Sequence, residues 1–101
     1  MNLSDTLKAV KDERLNLEQL ENYHIALTHF KTDLALEISK LKKARALFLM
    51  NSEEKTAIGK KMAWEVSEGG QRLIELEGYM IAVPSELSSL KNRIYAHLPR
   101  L

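Results

Sequence analysis

Large apolar side chains recur every seven residues through the first half of the chain, at Leu20, Leu27, Leu34, Leu41 and Phe48. Taken as d positions of a heptad, they place Leu3, Val10, Leu17, His24, Lys31, Ile38 and Arg45 at the a positions. A 3.5-residue repeat sustained in this way is the mark of a left-handed coiled-coil seam. His24, Lys31 and Arg45 interrupt the seam, and polar a positions fix register at a cost in stability. No Gly or Pro precedes Gly59. The spacing therefore predicts one helix over residues 4–50.

The second half follows a different count. Ile58, Met62, Val66, Gly69, Leu73, Leu76, Met80 and Val83 are spaced by threes and fours, the pattern of an amphipathic helix. Asn51 and Ser52 read as the turn, with Asn51 as cap and Glu54 three residues on as its capping-box partner, so the second helix is expected over 53–83. Pro84 should kink or break it, and Ser85 can cap a continuation over 85–98 that carries Leu87, Leu90, Ile94 and Leu98. Val83 to Leu87 is a step of four, so the stripe keeps its phase and no reversal is expected. The two arms each hold about 46 residues, roughly 70 Å of helix. The predicted fold is all-α, a long antiparallel, coiled-coil-like helical hairpin. A three-helix bundle folded again at Pro84 is the alternative. With so few turn residues, all-β and α/β folds are excluded.

Two helices can bury only one stripe each, and this chain has more. At 100° per residue, Ala63, Gly70, Ile74 and Ile81 form a second row beside the main stripe, and Ile25, Leu36 and Leu47 lie opposite the leucine seam. Trp64 falls about 200° from Met62, on the otherwise polar side. Surplus apolar rows on a narrow hairpin call for further helices, most simply a second copy that completes a four-helix bundle. Trp64, Ile25, Leu36, Leu47, Ile74 and Ile81 are thus the candidate partner contacts. Gly69-Gly70, costly inside a helix, reads as a point of close helix approach, with a hinge as the alternative.

The formal net charge of +1 hides segregation. Residues 40–61 carry Lys40, Lys42, Lys43, Arg45, Lys55, Lys60 and Lys61 against Glu53 and Glu54, for +5. Residues 12–37 carry −4 and 62–85 carry −3, while the chain ends, with Lys8, Lys11, Lys91, Arg93 and Arg100, carry +3. A basic turn region can meet phosphates or an acidic protein surface. Aromatic interleaving is thin and there is no phosphate-cradling glycine loop, so nucleic-acid binding is only weakly signalled.

Candidate chemistry is sparse. Without cysteine the 101 residues have no thiolate ligand, disulfide or Cys nucleophile. His29, Asp33 and Glu37 share one helical row, but a solvent-facing polar row accounts for them better than a metal does. His24 reads as a polar seam residue. The serines fall at caps and ends, and nothing assembles a nucleophile, a base and an oxyanion hole. No cofactor or metal is expected. The longest apolar run, residues 46–50, is far short of the ~20 needed to span a bilayer, and the N-terminus lacks a secretory pattern. No membrane association and a cytoplasmic location are the expectation. The function expected is that of a non-enzymatic protein–protein interaction module, dimeric, acting as an adaptor, assembly factor, chaperone or inhibitor. In style the chain is similar to short accessory proteins of phages and mobile elements and to small secretion or flagellar chaperones, a likeness that no residue motif carries.

Overall fold

The computed structural model describes residues 1–99 and is all-α. Arg100, counted above among the charged ends, lies outside the described residues. The elements are α1 (Leu3–Ala9), α2 (Leu17–Asn51), α3 (Ala57–Val66) and α4 (Glu68–Ala96). Helix α2 packs against α4, the arrangement of a helical hairpin. Contacts divide the chain into two compact units, residues 1–33 with the chain from Met80 on, and residues 34–79.

The first unit holds α1, the start of α2 and the end of α4. The single helix expected over 4–50 is interrupted at residues 10–16. The reason is local polar chemistry. Asn16 and Gln19 form a reciprocal capping box, the Gln19 amide donating to Asn16 Oδ1 at 2.8 Å and the Asn16 amide donating to Gln19 Oε1 at 2.9 Å. Asp12 accepts from the Arg14 amide at 2.9 Å, which turns the chain just before that start. Helix α1 is itself capped by Asn2, whose Oδ1 accepts from the Asp5 amide at 2.8 Å. The buried Thr6 hydroxyl donates to the Asn2 carbonyl. Thr6 and Val10 pack with Leu20 and Leu27 of α2 and with Val83 and Leu90 of α4 in this unit's core. From α4 the Arg93 guanidinium donates to the carbonyls of Val10 and Asp12, satisfying acceptors that the end of α1 leaves open.

The second unit holds the rest of α2, α3 and the start of α4. Its core is Leu34, Ile38, Trp64, Leu73 and Leu76. The turn falls later than the sequence suggests. Asn51 is the last residue of α2 and not a cap, and Glu54 has no capping-box role. Thr56 starts α3, its hydroxyl accepting from the Gly59 amide at 2.9 Å. The helix expected over 53–83 is broken again at Ser67, whose extended backbone separates α3 from α4. Ser67 Oγ accepts from the Gly70 amide at 3.1 Å and its hydroxyl donates to the Trp64 carbonyl, so one side chain closes α3 and opens α4. No break occurs at Pro84: α4 runs through it to Ala96, which removes both the separate helix over 85–98 and the three-helix bundle.

The heptad reading survives these corrections where both helices are continuous. Leu20, Leu27 and Leu34 are buried, and Leu41 and Phe48 are half-buried. Lys31 and Arg45 are exposed, and His24 is half-buried.

Candidate interaction surface

The break at Ser67 sets the phase of α3. Had α3 and α4 been one helix, Ile58, Met62 and Val66 would continue the buried stripe of Leu73 and Leu76. Instead α3 is turned so that Trp64 faces inward, 7% exposed, while Ile58, Met62 and Val66 are 74%, 60% and 77% exposed. The exchange buries one indole, a larger apolar surface than any single one of the three aliphatic side chains it leaves in water. The ring of Trp64 packs edge-to-face on Phe48 of α2, with centroids 5.5 Å apart. Its six-membered edge also lies against Gly69, where a Cβ would stand 2.8 Å from Cη2. Gly69-Gly70 is thus a place of close approach, but the approach is to the end of α3 at a tight corner. The expectation that Trp64 is a partner-facing anchor fails, since its ring is used up in the unit's own core.

The other expected contacts lie in solvent. Ile25 and Ile81 are exposed in the first unit, and Leu36, Leu47 and Ile74 in the second. The row that the structure exposes and that spacing alone places in the core is Ile58, Met62 and Val66. The signal that could have found it is Ser67-Glu68, a cap followed by an acid in the first helical turn.

All seven expected cations, Lys40, Lys42, Lys43, Arg45, Lys55, Lys60 and Lys61, belong to the second unit, and all but the half-buried Lys60 are exposed. Among the described residues, only Lys61 of the seven forms an ion pair, with Glu65 one turn on at 4.0 Å. Glu37 is held by Arg72 of α4, at 3.1 Å from Nε, and Arg72 also reaches Glu75 at 3.3 Å. These carboxylates keep the Arg72 guanidinium charged above its ordinary range, the Glu37 hydrogen bond contributing most.

In the first unit a shallow groove of about 340 Å³ is lined by Met1, Thr6, Tyr23, Ala26 and Phe30 together with the polar Asn22, His29 and Asp33. Among the described residues no three His, Asp or Glu side chains converge on a metal-sized site, and no helix is long and apolar enough to cross a membrane. No known protein family matches the chain, and comparison with curated proteins and with solved structures found no match.

Proposed function

We propose that the protein is a non-enzymatic protein–protein interaction module that works as a homodimer, serving as an adaptor, assembly factor, chaperone or inhibitor in the cytoplasm. One observation carries this reading. After each unit has closed its own core, large aliphatic side chains remain in solvent on helix after helix, from Ile25 on α2 to Met62 on α3 and Ile81 on α4. Water-exposed aliphatic surface beyond scattered single residues marks a place where another protein sits. Light scattering over a range of concentrations tests it, together with affinity capture from a lysate. A mass near twice 11.6 kDa is expected. A monomer at every concentration that captures no protein would overturn the reading.

A second reading has its own support in the six cations of residues 40–60 that have no ionic partner among the described residues. Such charges could neutralise phosphates of a nucleic acid, with affinity falling steeply as salt rises. Oligonucleotide binding that is lost in Lys42→Glu/Lys43→Glu would favour it. Binding that is absent at low salt would remove it.

A further inference from the structure

We infer that α3 is a two-position element. The break at Ser67 holds it with Trp64 inward, and closing that break would lay Ile58, Met62 and Val66 on the seam of α2 and carry Trp64 into solvent. The exchange is internal to one chain and does not depend on the dimer reading. Joined to the interaction reading, it makes the α3 row a face that the protein can itself cover.

Both halves of the unformed contact lie in the second unit. Of the α2 heptad, Leu20, Leu27 and Leu34 are buried, but Leu41 and Phe48, next in line, are only half-buried. On α4 the buried Leu90, Val83 and Leu76 step down by sevens as these α2 positions step up by sevens. The next two steps down are Gly69 and Met62, which fall opposite Leu41 and Phe48. The neighbouring row agrees. Ile38 and Leu73 share the core of the second unit, and one heptad on from each stand Arg45 and Val66. The seam of α2 and the row of α3 thus lack cover in matching register, as two sides of one antiparallel seam would.

Little separates the two forms. Between α3 and α4 only Ser67 leaves the helix, with φ −72° and ψ 162°. Its φ is already helical, so the change turns on ψ. The segment 52–56 is long enough to join antiparallel neighbours in either form. In a continuous helix Ile58, Met62, Val66, Gly69, Leu73 and Leu76 lie within about 80° of one another, with Trp64 about 200° from Met62. The broken form is held at its corner. Ser67 bonds the Gly70 amide and the Trp64 carbonyl, Gln71 Nε2 donates to the Glu65 carbonyl at 2.6 Å, and the indole packs on Phe48 and Gly69. The continuous form offers three aliphatic side chains for one indole, and helical backbone bonds for those of the corner. Two packings of one segment, each closing apolar surface that the other opens, make a bistable element.

Gly70 gives the handle. In the broken form it cannot carry a side chain, since a Cβ there overlaps the Trp64 carbonyl, whereas a continuous helix favours alanine over serine and glycine. Ser67→Ala/Gly70→Ala should turn the molecule to the continuous form. Trp64 emission then moves to the red, while the helical signal in circular dichroism holds or rises. The chain has no cysteine, so an introduced pair can report the new contact. In that background Arg45→Cys/Val66→Cys should close a disulfide within one chain on mild oxidation. In the parent, Val66 is 77% exposed on the side of α3 away from Trp64. There the same pair should close at least tenfold more slowly, as for a minor state of about 10% or less. Met62→Ser puts a polar group into the continuous seam alone. It should slow closure in the parent roughly tenfold further and leave Trp64 emission unchanged.

The inference is overturned if Ser67→Ala/Gly70→Ala keeps the parent emission, or shifts it with loss of helical signal. It is overturned equally by a cysteine pair that closes no faster in that background than in the parent, or by closure in the parent that Met62→Ser does not slow. Closure is counted on the monomer band of non-reducing gels. The mass in solution does not enter, so the dimer and the exchange can each fail alone.

Discussion

The backbone of Gly70 lies directly against the peptide carbonyl of Trp64. A Cβ at Gly70 would overlap that carbonyl, 2.7 Å from its carbon and 2.9 Å from Glu65 Cα. All of these are main-chain atoms, so no rotamer change can make room. Gly70→Ala should therefore force α3 and α4 apart and destabilise the protein by about 1–3 kcal/mol. Gly78→Ala is the internal control. It lies within α4 with nothing within 4 Å of its Cβ, so it should stabilise by about 0.5–1 kcal/mol through helix propensity alone. Urea midpoints of the two variants should move in opposite directions.

Trp64 is expected to act through stability and not through binding. Truncation to alanine removes a buried ring that touches Phe48 and Gly69 and should cost about 3–5 kcal/mol. Met62→Ser, on the opposite side of the same helix, should leave the unfolding free energy within about 0.5 kcal/mol of the parent at a protein concentration low enough that no dimer forms. If Trp64→Ala unfolds at the parent midpoint, the inward placement of the ring is wrong.

How much of this was legible in the sequence depends on what each signal measures. The heptad of Leu20, Leu27 and Leu34 reports burial on a continuous helix, and those residues are buried. The stripe from Leu73 to Leu90 reports the same on α4 and reads correctly through Pro84, because four-residue spacing survives a proline that the helix absorbs. The interruptions were hidden because none uses a glycine or proline as its stop. They are made by side chains that accept from the backbone, namely Asp12, Asn16, Thr56 and Ser67. Periodicity does not register such caps, and a single break shifts the phase of everything before it. That is why spacing alone places Ile58, Met62 and Val66 in the core and Trp64 at the surface. Charge segregation survives, because it depends on position along the chain more than on which way a helix is turned.

Arg93 should hold α1 in place. Its guanidinium donates to the carbonyls of Val10 and Asp12 from a partly buried position. Hydrogen bonds from a charged donor are worth about 1.5–3 kcal/mol when broken on one side. Arg93→Ala should cost about that much, and Arg93→Lys should recover part of it, since an ammonium cannot span both acceptors as the planar fork does. Amide exchange locates the effect. Residues of α1 should lose protection by more than an order of magnitude, while Leu73 and Leu76 in the second unit should keep theirs.

The segment between α1 and α2 should also respond to acid. The Asp12 carboxylate accepts from the Arg14 side chain at 3.1 Å and from the Arg14 amide at 2.9 Å, and these bonds hold its pKa below the ordinary value of 3.8. A carboxyl depressed on folding contributes stability that is fully present above its unfolded value and is lost as pH falls through its folded one. The turn should thus keep its geometry at neutral pH and loosen only below about pH 4. Carboxyl chemical shifts of Asp12 followed from pH 7 to pH 2 would show a midpoint below the ordinary aspartate value of 3.8. A midpoint at or above that value would remove the Arg14 contact from the account.

Pro84 makes the sharpest test of α4 as one helix. A proline there has no N–H for the Met80 carbonyl and crowds the preceding turn, at a cost of about 3 kcal/mol in a helix interior. Since α4 passes through it unbroken, the neighbouring packing of Val83 and Leu87 must offset that cost. Val83 is fully buried and Leu87 half-buried. Pro84→Ala restores the missing hydrogen bond without disturbing either neighbour, and should raise stability by about 1–3 kcal/mol. The helical signal in circular dichroism should stay the same or rise slightly. Had the chain instead been broken into separate helices at this point, the proline would sit in a turn that favours it, and the alanine variant would be less stable than the parent.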